Sequence, residues 1–135
     1  MTASPAPRGP RPADTTILVV DDDPVTLTLV ERTLRAEGYR VWTATRAADA
    51  WKVLAELAGA VDLVLTDIAM PGGLGSDLAA QIRSTQRWVR VCFMSSYSRE
   101  HLLKSGVDVP EAQLLRKPFG AAVLVKTIHE ALASA

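Results

Sequence analysis

The chain has 135 residues, 48% of them hydrophobic, which suits one folded domain and excludes disorder throughout. Lysine plus arginine equals aspartate plus glutamate at 15 each, so no basic excess favours binding to nucleic acid or to an anionic membrane. Cys92 is the only cysteine, which excludes an internal disulfide and suits a reducing compartment. No apolar run is long enough for a membrane span, and the N-terminus lacks a secretory signal. We therefore expect a soluble, cytoplasmic protein.

The beginning of the chain differs in composition from the rest. Residues 1–15 are rich in Pro, Ala and Arg and contain almost nothing to bury, which predicts a disordered tail. Arg8 and Arg11 are too few to form a convincing arm for nucleic acid. One domain is therefore predicted at residues 16–135.

Buried-type strands and helices alternate five times along that domain. The first helix follows Asp23, a good N-cap, and Pro24, which suits the first helical position. Gly38 then closes this helix. The predicted strands are Ile17–Val20, Val41–Ala44, Val61–Leu65, Val89–Met94 and Gln113–Arg116. The later helices are predicted at about Ala47–Ala58, after the cap Ser76, at about Ser98–Ser105, and around Leu124, Ile128 and Leu132.

This alternation indicates an α/β fold in which helices cover both faces of a parallel sheet. Right-handed crossovers leave few topologies for such a sheet. At this size the flavodoxin-like, doubly wound order 2-1-3-4-5 with five helices is the commonest. In that order strands one and three are neighbours at the switch point, where open α/β sheets bind their ligands.

Polar residues follow four of the five predicted strands. Asp21 and Asp22 come after strand one, Asp67 after strand three, Ser95 after strand four and Lys117 after strand five. Close carboxylates repel each other, so such a cluster either holds a proton or recruits a cation, and Mg²⁺ suits these ligands. An aspartate can also attack phosphorus, and Lys117 and Ser95 could then contact the phosphoryl oxygens. The pattern favours a functional site centred on Asp67.

Four motifs occur in order between residues 16 and 133: ILVVDDDP, DLVLTDIAMPGGLG, FMSS and RKPF. On these motifs the chain resembles the receiver domain of two-component response regulators. The resemblance implies that Asp67 accepts a phosphoryl group from a sensor histidine kinase or a histidine phosphotransfer protein. It also implies that Asp21, Asp22, Asp67 and the backbone carbonyl of Ala69 hold Mg²⁺ or Mn²⁺.

The resemblance extends to the other strand ends, with one departure. It implies that Ser95 is the switch hydroxyl, that Lys117 contacts the phosphoryl group, and that Pro118 stands where this family often has a cis peptide bond. Ala69 and Tyr97 fall at positions that tune dephosphorylation in this family. The departure is Leu114, which stands where many receivers have a switch Tyr or Phe.

The leading hypothesis is a phosphorylation-controlled signalling switch that binds an unidentified downstream protein. It would not be an enzyme beyond catalysing its own phosphorylation and dephosphorylation. Dimerisation through the face formed by the fourth helix, fifth strand and fifth helix is possible. One alternative is a binding module that works without phosphorylation, supported by Leu114. The other is a Mg²⁺-dependent phosphatase acting through Asp67, weakened by Ala69 where related chemistry often has a second acid.

Three further side chains carry weaker signals. Cys92 stands between Val91 and Phe93, which predicts a buried, inert thiol. His101 and His129 have no partner residues at metal-ligand spacing, which favours surface or packing roles.

Overall fold

The computed structural model describes residues 11–70, 73–86 and 88–133. The strands of its main sheet are β1 (Thr16–Val20), β2 (Arg40–Ala44), β3 (Leu63–Asp67), β4 (Arg90–Ser95) and β5 (Leu114–Arg116). The helices are α1 (Pro24–Ala36), α2 (Ala47–Leu57), α3 (Gly75–Thr85), α4 (Arg99–Lys104) and α5 (Ala121–Ala133). All neighbouring strands of the sheet are parallel, and their order is β2-β1-β3-β4-β5. The predicted flavodoxin-like order 2-1-3-4-5 is therefore confirmed.

The core consists of two apolar clusters, one on each face of the sheet. β1 and β3 are buried along their whole length, as their continuous apolar runs predict. Alternate residues of a strand point to opposite faces, so Leu18 and Ile17 enter different clusters. The Leu18 cluster includes Leu54 of α2, Ile82 of α3 and Leu102 of α4. The Ile17 cluster includes Val30 and Leu34 of α1 and Leu124 and Ile128 of α5.

The ends of α1 match the sequence prediction. Asp23 is the N-cap, with a side-chain oxygen that accepts a hydrogen bond from the backbone N–H of Val25. A second bond, from the hydroxyl of Thr26, holds the pKa of the Asp23 carboxyl below its ordinary value. Beyond the other end of the helix, Gly38 has a φ of 99°, a left-handed conformation that glycine adopts without strain.

The predicted disordered tail extends too far. Within residues 11–15, Pro12–Asp14 form a 3-10 helix and Thr15 is fully buried. The backbone N–H of Arg40 donates to the carbonyl of Thr15, which continues the pairing of β1 with β2 beyond the strand end. The composition of residues 1–15 did not reveal this anchoring, because it depends on a distant strand. The rest of the predicted tail, residues 1–10, lies outside the described residues.

Smaller differences concern loops and element ends. The Pro- and Gly-rich sequence at residues 71–75 does not favour regular structure, but Ala69–Met70 pairs antiparallel with Gly73–Leu74. α3 begins at Gly75, so Ser76 is a helical residue rather than the predicted cap. Gln113 belongs to a 3-10 helix ahead of β5 instead of to the strand. Within the described residues, every helix is too short or too polar to cross a lipid bilayer.

Candidate functional site

The sheet brings the polar strand ends together at one edge. In the register of the sheet, Asp67 of β3 is level with Met94 of β4, so Ser95 lies one residue further along the neighbouring strand. Asp21 directly follows β1 on the other side of β3, and Lys117 directly follows β5. Parallel strands all end at the same edge, which is why residues so distant in sequence meet here.

The Lys117 ammonium lies between two carboxylates. Its Nζ donates to Oδ2 of Asp21 at 2.7 Å and to Oδ2 of Asp67 at 3.0 Å. Asp21 is fully buried and Asp67 is nearly so. Burial lowers the pKa of Lys117, but the hydrogen bonds and charges of the two aspartates outweigh it, so the pKa is raised. Lys117 is therefore a fixed positive charge at this edge of the sheet.

Three carboxylates form the negative part of the site. Asp21, Asp22 and Asp67 each offer an oxygen, and these oxygens all lie within 4.8 Å of one another. Two such charges about 4 Å apart repel by about 4 kcal/mol at an effective dielectric constant near 20. Three ionised carboxylates and one ammonium carry a net charge of minus two, which a divalent cation balances. The donor set consists of hard oxygens, which fits Mg²⁺ or Mn²⁺.

The carboxylates of the site differ in their hydrogen bonds and in their exposure. Oδ1 of Asp21 accepts a hydrogen bond from the backbone N–H of Asp23 at 2.9 Å, and its Oδ2 accepts from Lys117. Asp22, in contrast, is exposed. Ala69 lies two residues after Asp67, where its backbone pairs with Leu74, and a metal-binding role of its carbonyl stays a prediction.

Ser95 connects the site to the loop that follows β4. Its side chain is 3% exposed, and its Oγ accepts a hydrogen bond from the backbone N–H of Tyr97 at 2.9 Å. Its carbonyl accepts from the backbone N–H of Lys117 at 2.8 Å. The next peptide bond, Lys117–Pro118, is cis, as the family resemblance implies.

An apolar rim beside the site was missed at the sequence level. Val25 and Leu29 of α1 are 75% and 48% exposed, on a different face of the helix from Val30 and Leu34. Their spacing of four residues was the available signal, because it places a second apolar pair on one side of the helix. They border a pocket of about 520 Å³ next to Lys117. The other lining residues are Asp23, Thr26, Ser96, Pro118 and Phe119.

Comparison with known proteins assigns the family. The family model described as the response regulator receiver domain matches residues 17–129. This chain is a response regulator receiver domain. The sensor kinase CckA of Brucella abortus (strain 2308) is 32% identical to this receiver over 118 residues, 87% of the chain but 12% of the kinase. The receiver spans between 12% and 49% of the length of the first curated relatives that it matches.

Solved structures agree with the fold of this receiver. The receiver domain of the hybrid histidine kinase CckA is 30% identical, with a TM-score of 0.71 over 87% of this chain and 98% of that one. The response regulator TrrA from Thermotoga maritima, solved in a complex with Mg²⁺ and BeF, is 32% identical, also with a TM-score of 0.71. That match covers 87% of this receiver and 99% of TrrA.

The structure also places three other residues from the sequence analysis: Leu114, which departs from the family pattern, and the side chains of His101 and Cys92. Leu114 pairs with Phe93 in the sheet and packs, partly buried, against the Leu18 cluster. His101 is exposed and stacks on the Tyr97 ring, which confirms a surface role. Cys92 is fully buried, as predicted, and burial raises the pKa of its thiol to about 12. The inertness of this thiol stays a prediction.

Proposed function

We propose that this receiver domain accepts a phosphoryl group on Asp67 and thereby changes its affinity for a downstream protein. The observation that carries the proposal is the position of the Lys117 ammonium, 3.0 Å from the Asp67 carboxylate and beside two further acids. A buried carboxylate next to a fixed cation can receive a phosphoryl group whose added negative charge is already partly compensated. The donor would be a sensor histidine kinase or a histidine phosphotransfer protein.

The transfer needs little from this chain besides position and charge. An Oδ of Asp67 attacks the phosphorus of a phosphohistidine, and an O–P bond forms as the P–N bond breaks. The bonding pair stays on the imidazole nitrogen of the donor, which takes up a proton. Lys117 stays protonated throughout, because its pKa is raised, and it would stabilise a phosphoryl oxygen.

The acid cluster is the place for a divalent metal in this proposal. Asp21, Asp22, Asp67 and the carbonyl of Ala69 would hold Mg²⁺, or Mn²⁺ in its place. When bound, the ion supplies further positive charge for the phosphoryl oxygens. The net charge of minus two in the cluster supports this assignment.

The donor would dock on the apolar rim next to Lys117. Val25 and Leu29 are exposed apolar side chains that border the same pocket as Lys117. A partner helix that covers them would exclude water from the site, which strengthens the charge interactions during transfer. We also expect that the domain turns over no separate substrate. Its cytoplasmic location stays a prediction.

A phosphorylation assay tests the proposal. The protein is incubated with Mg²⁺ and acetyl phosphate, and intact mass spectrometry measures the gain of one phosphoryl group. We expect this gain in the wild type, its loss in Asp67→Asn, and its retention in Asp49→Asn, a control acid on α2 that pairs with Arg46 outside the site. No gain in the wild type, or an equal gain in Asp67→Asn, would contradict the proposal.

The second candidate is a binding module that does not use phosphorylation. Leu114 favours it, since this partly buried aliphatic side chain has neither a hydroxyl nor a planar ring to report on the site. In that case Asp67→Asn would leave the affinity for the downstream protein unchanged, with or without acetyl phosphate. Turnover of phosphate esters would instead support the phosphatase alternative.

A further inference from the structure

A buried polar atom of the site directly holds the backbone of an exposed aromatic residue. The Oγ of Ser95 accepts the hydrogen bond from the Tyr97 N–H, although Ser95 is 3% exposed and Tyr97 is 51% exposed. The Tyr97 ring stacks on His101, with ring centroids 4.5 Å apart and planes inclined by 13°. A movement of the Ser95 hydroxyl therefore acts on a surface feature only two residues away.

Hydrogen bonds also link Ser95 to the phosphoryl acceptor. Lys117 contacts Asp67 through its Nζ at 3.0 Å, and its own backbone N–H donates to the Ser95 carbonyl at 2.8 Å. The contacts thus run from Asp67 through Lys117 and Ser95 to Tyr97 without a gap. Such a continuous set of contacts can transmit a rearrangement if its far end has two states.

The far end is a short helix whose first residue, Arg99, donates through Nε to the Val109 carbonyl at 2.9 Å. α4 has six residues, of which Leu102 is the buried one, and a helix this short is marginal without tertiary packing. Its N-cap is Ser98, whose Oγ accepts a hydrogen bond from the His101 N–H at 3.1 Å. The stack of Tyr97 on His101 therefore ties the loop after β4 to the first turn of α4.

The two tyrosines of the chain differ in burial and in their contact with the site. Leu114 occupies the position on β5 where an aromatic ring is usual in this family, and it packs against the core. Of the two tyrosines, Tyr39 is buried in the cluster on the α1 and α5 face of the sheet. Tyr97 is the tyrosine that is both exposed and bonded to the site.

We infer that the stacked pair of Tyr97 and His101 is the element that reports phosphorylation in this receiver, in place of a ring on β5. A phosphoryl group on Asp67 turns the Ser95 hydroxyl toward a phosphoryl oxygen, which weakens the bond from the Tyr97 N–H. The Tyr97 ring then leaves His101, and the surface formed by the loop and the first turn of α4 changes. This inference rests on the proposed phosphorylation of Asp67. Tyr97 does not contact the phosphoryl group in it and acts through Ser95.

The two histidines of the chain allow a direct test, since His129 on α5 serves as an internal control. Histidine ring signals are recorded by NMR at one fixed pH, with Mg²⁺ alone and with Mg²⁺ and beryllofluoride as phosphoryl analogue. With Mg²⁺ alone we expect the Tyr97 ring to shift the His101 protons upfield, a displacement that Tyr97→Ala removes and Tyr97→Phe keeps. Beryllofluoride should move the wild-type His101 signal to its Tyr97→Ala position and leave His129 unchanged.

Two failures can be told apart in this experiment. Bound beryllofluoride has its own fluorine signal, which Asp67→Asn should remove. If that signal forms while His101 keeps its upfield position, the inference is overturned and the phosphorylation of Asp67 stands. If the signal does not form in the wild type and acetyl phosphate adds no mass, the proposed function fails, and this inference fails with it.

Discussion

At the scale of single residues, a neighbouring positive charge distinguishes two buried ionisable groups. Asp67 and Cys92 lie on neighbouring strands, and both are buried. Asp67 has the Lys117 ammonium at 3.0 Å, whereas burial raises the pKa of Cys92 to about 12. The carboxylate beside a cation is suited to chemistry, while the thiol is a packing group.

The inertness of Cys92 is a prediction about both reactivity and pH dependence. In the folded protein at about pH 8 the thiol is protonated and covered, so we expect a disulfide reagent to react only after urea unfolding. The folded pKa of about 12 exceeds the ordinary value of 9.0. This group therefore contributes stability below pH 9.0 that is lost as the pH rises toward 12. A thiol titration with and without urea checks the first part, and fast reaction of the folded protein would contradict it.

At the scale of elements, glycines in left-handed conformations follow the ends of helices, and one of them lies close to the N-terminal segment. Gly38, beyond α1, has a φ of 99°, and Gly106, beyond α4, has a φ of 85°. A Cβ added at Gly38 would lie 3.3 Å from the Cβ of Pro12, whereas one added at Gly106 would meet nothing within 4 Å. The end of α1 is thus fitted to the 3-10 helix ahead of β1.

These two glycines form a matched pair for mutation. Both alanine variants place a residue with a Cβ in a left-handed backbone conformation, which destabilises the folded state by about 1 kcal/mol or more. Gly38→Ala should destabilise the protein more than Gly106→Ala, because Pro12 must also move. Urea unfolding monitored by circular dichroism measures both losses. Equal losses would contradict this prediction, because they would mean that Pro12 makes way for the added Cβ at no cost.

At the scale of the whole molecule, the fold concentrates negative charge at one edge of the sheet, although the net charge of the chain is zero. Lysine plus arginine and aspartate plus glutamate are equal in number, yet three carboxylates lie within 4.8 Å with one ammonium beside two of them. Their mutual repulsion opposes folding, and a cation bound only by the folded state would relieve it.

Stability should therefore depend on Mg²⁺. We expect Mg²⁺ to raise the melting temperature, with a stabilisation of about 2.7 kcal/mol when its concentration is 100 times the Kd. Asp22→Asn should raise the melting temperature without Mg²⁺, because it removes one repelling charge, and should reduce the shift that Mg²⁺ produces. Thermal unfolding with and without EDTA measures both effects. An unchanged Mg²⁺ shift in Asp22→Asn would exclude that carboxylate as a ligand.

Much of this molecule follows from local sequence signals. Continuous apolar runs specify strands buried on both faces, and the alternation with amphipathic helices specifies a parallel sheet. Since parallel strands end at one edge, the convergence of Asp21, Asp67 and Lys117 could be predicted before any coordinate was known. The N-cap Asp23 and the closing Gly38 were readable for the same reason, because capping depends on neighbouring residues.

Other features depend on partners that are distant in sequence, and local patterns do not reveal them. The 3-10 helix at Pro12–Asp14 is followed by Thr15, whose carbonyl bonds to Arg40 on another strand. After β3, Ala69–Met70 pairs antiparallel with Gly73–Leu74. Strands of two residues are too short to show an alternating hydrophobic pattern in the sequence. The bond from the Tyr97 N–H to Ser95 and the stack of Tyr97 on His101 depend on the path of a loop. Strand order and site acids are thus encoded in periodicity and strand ends, whereas tertiary packing determines which neighbour each site residue holds.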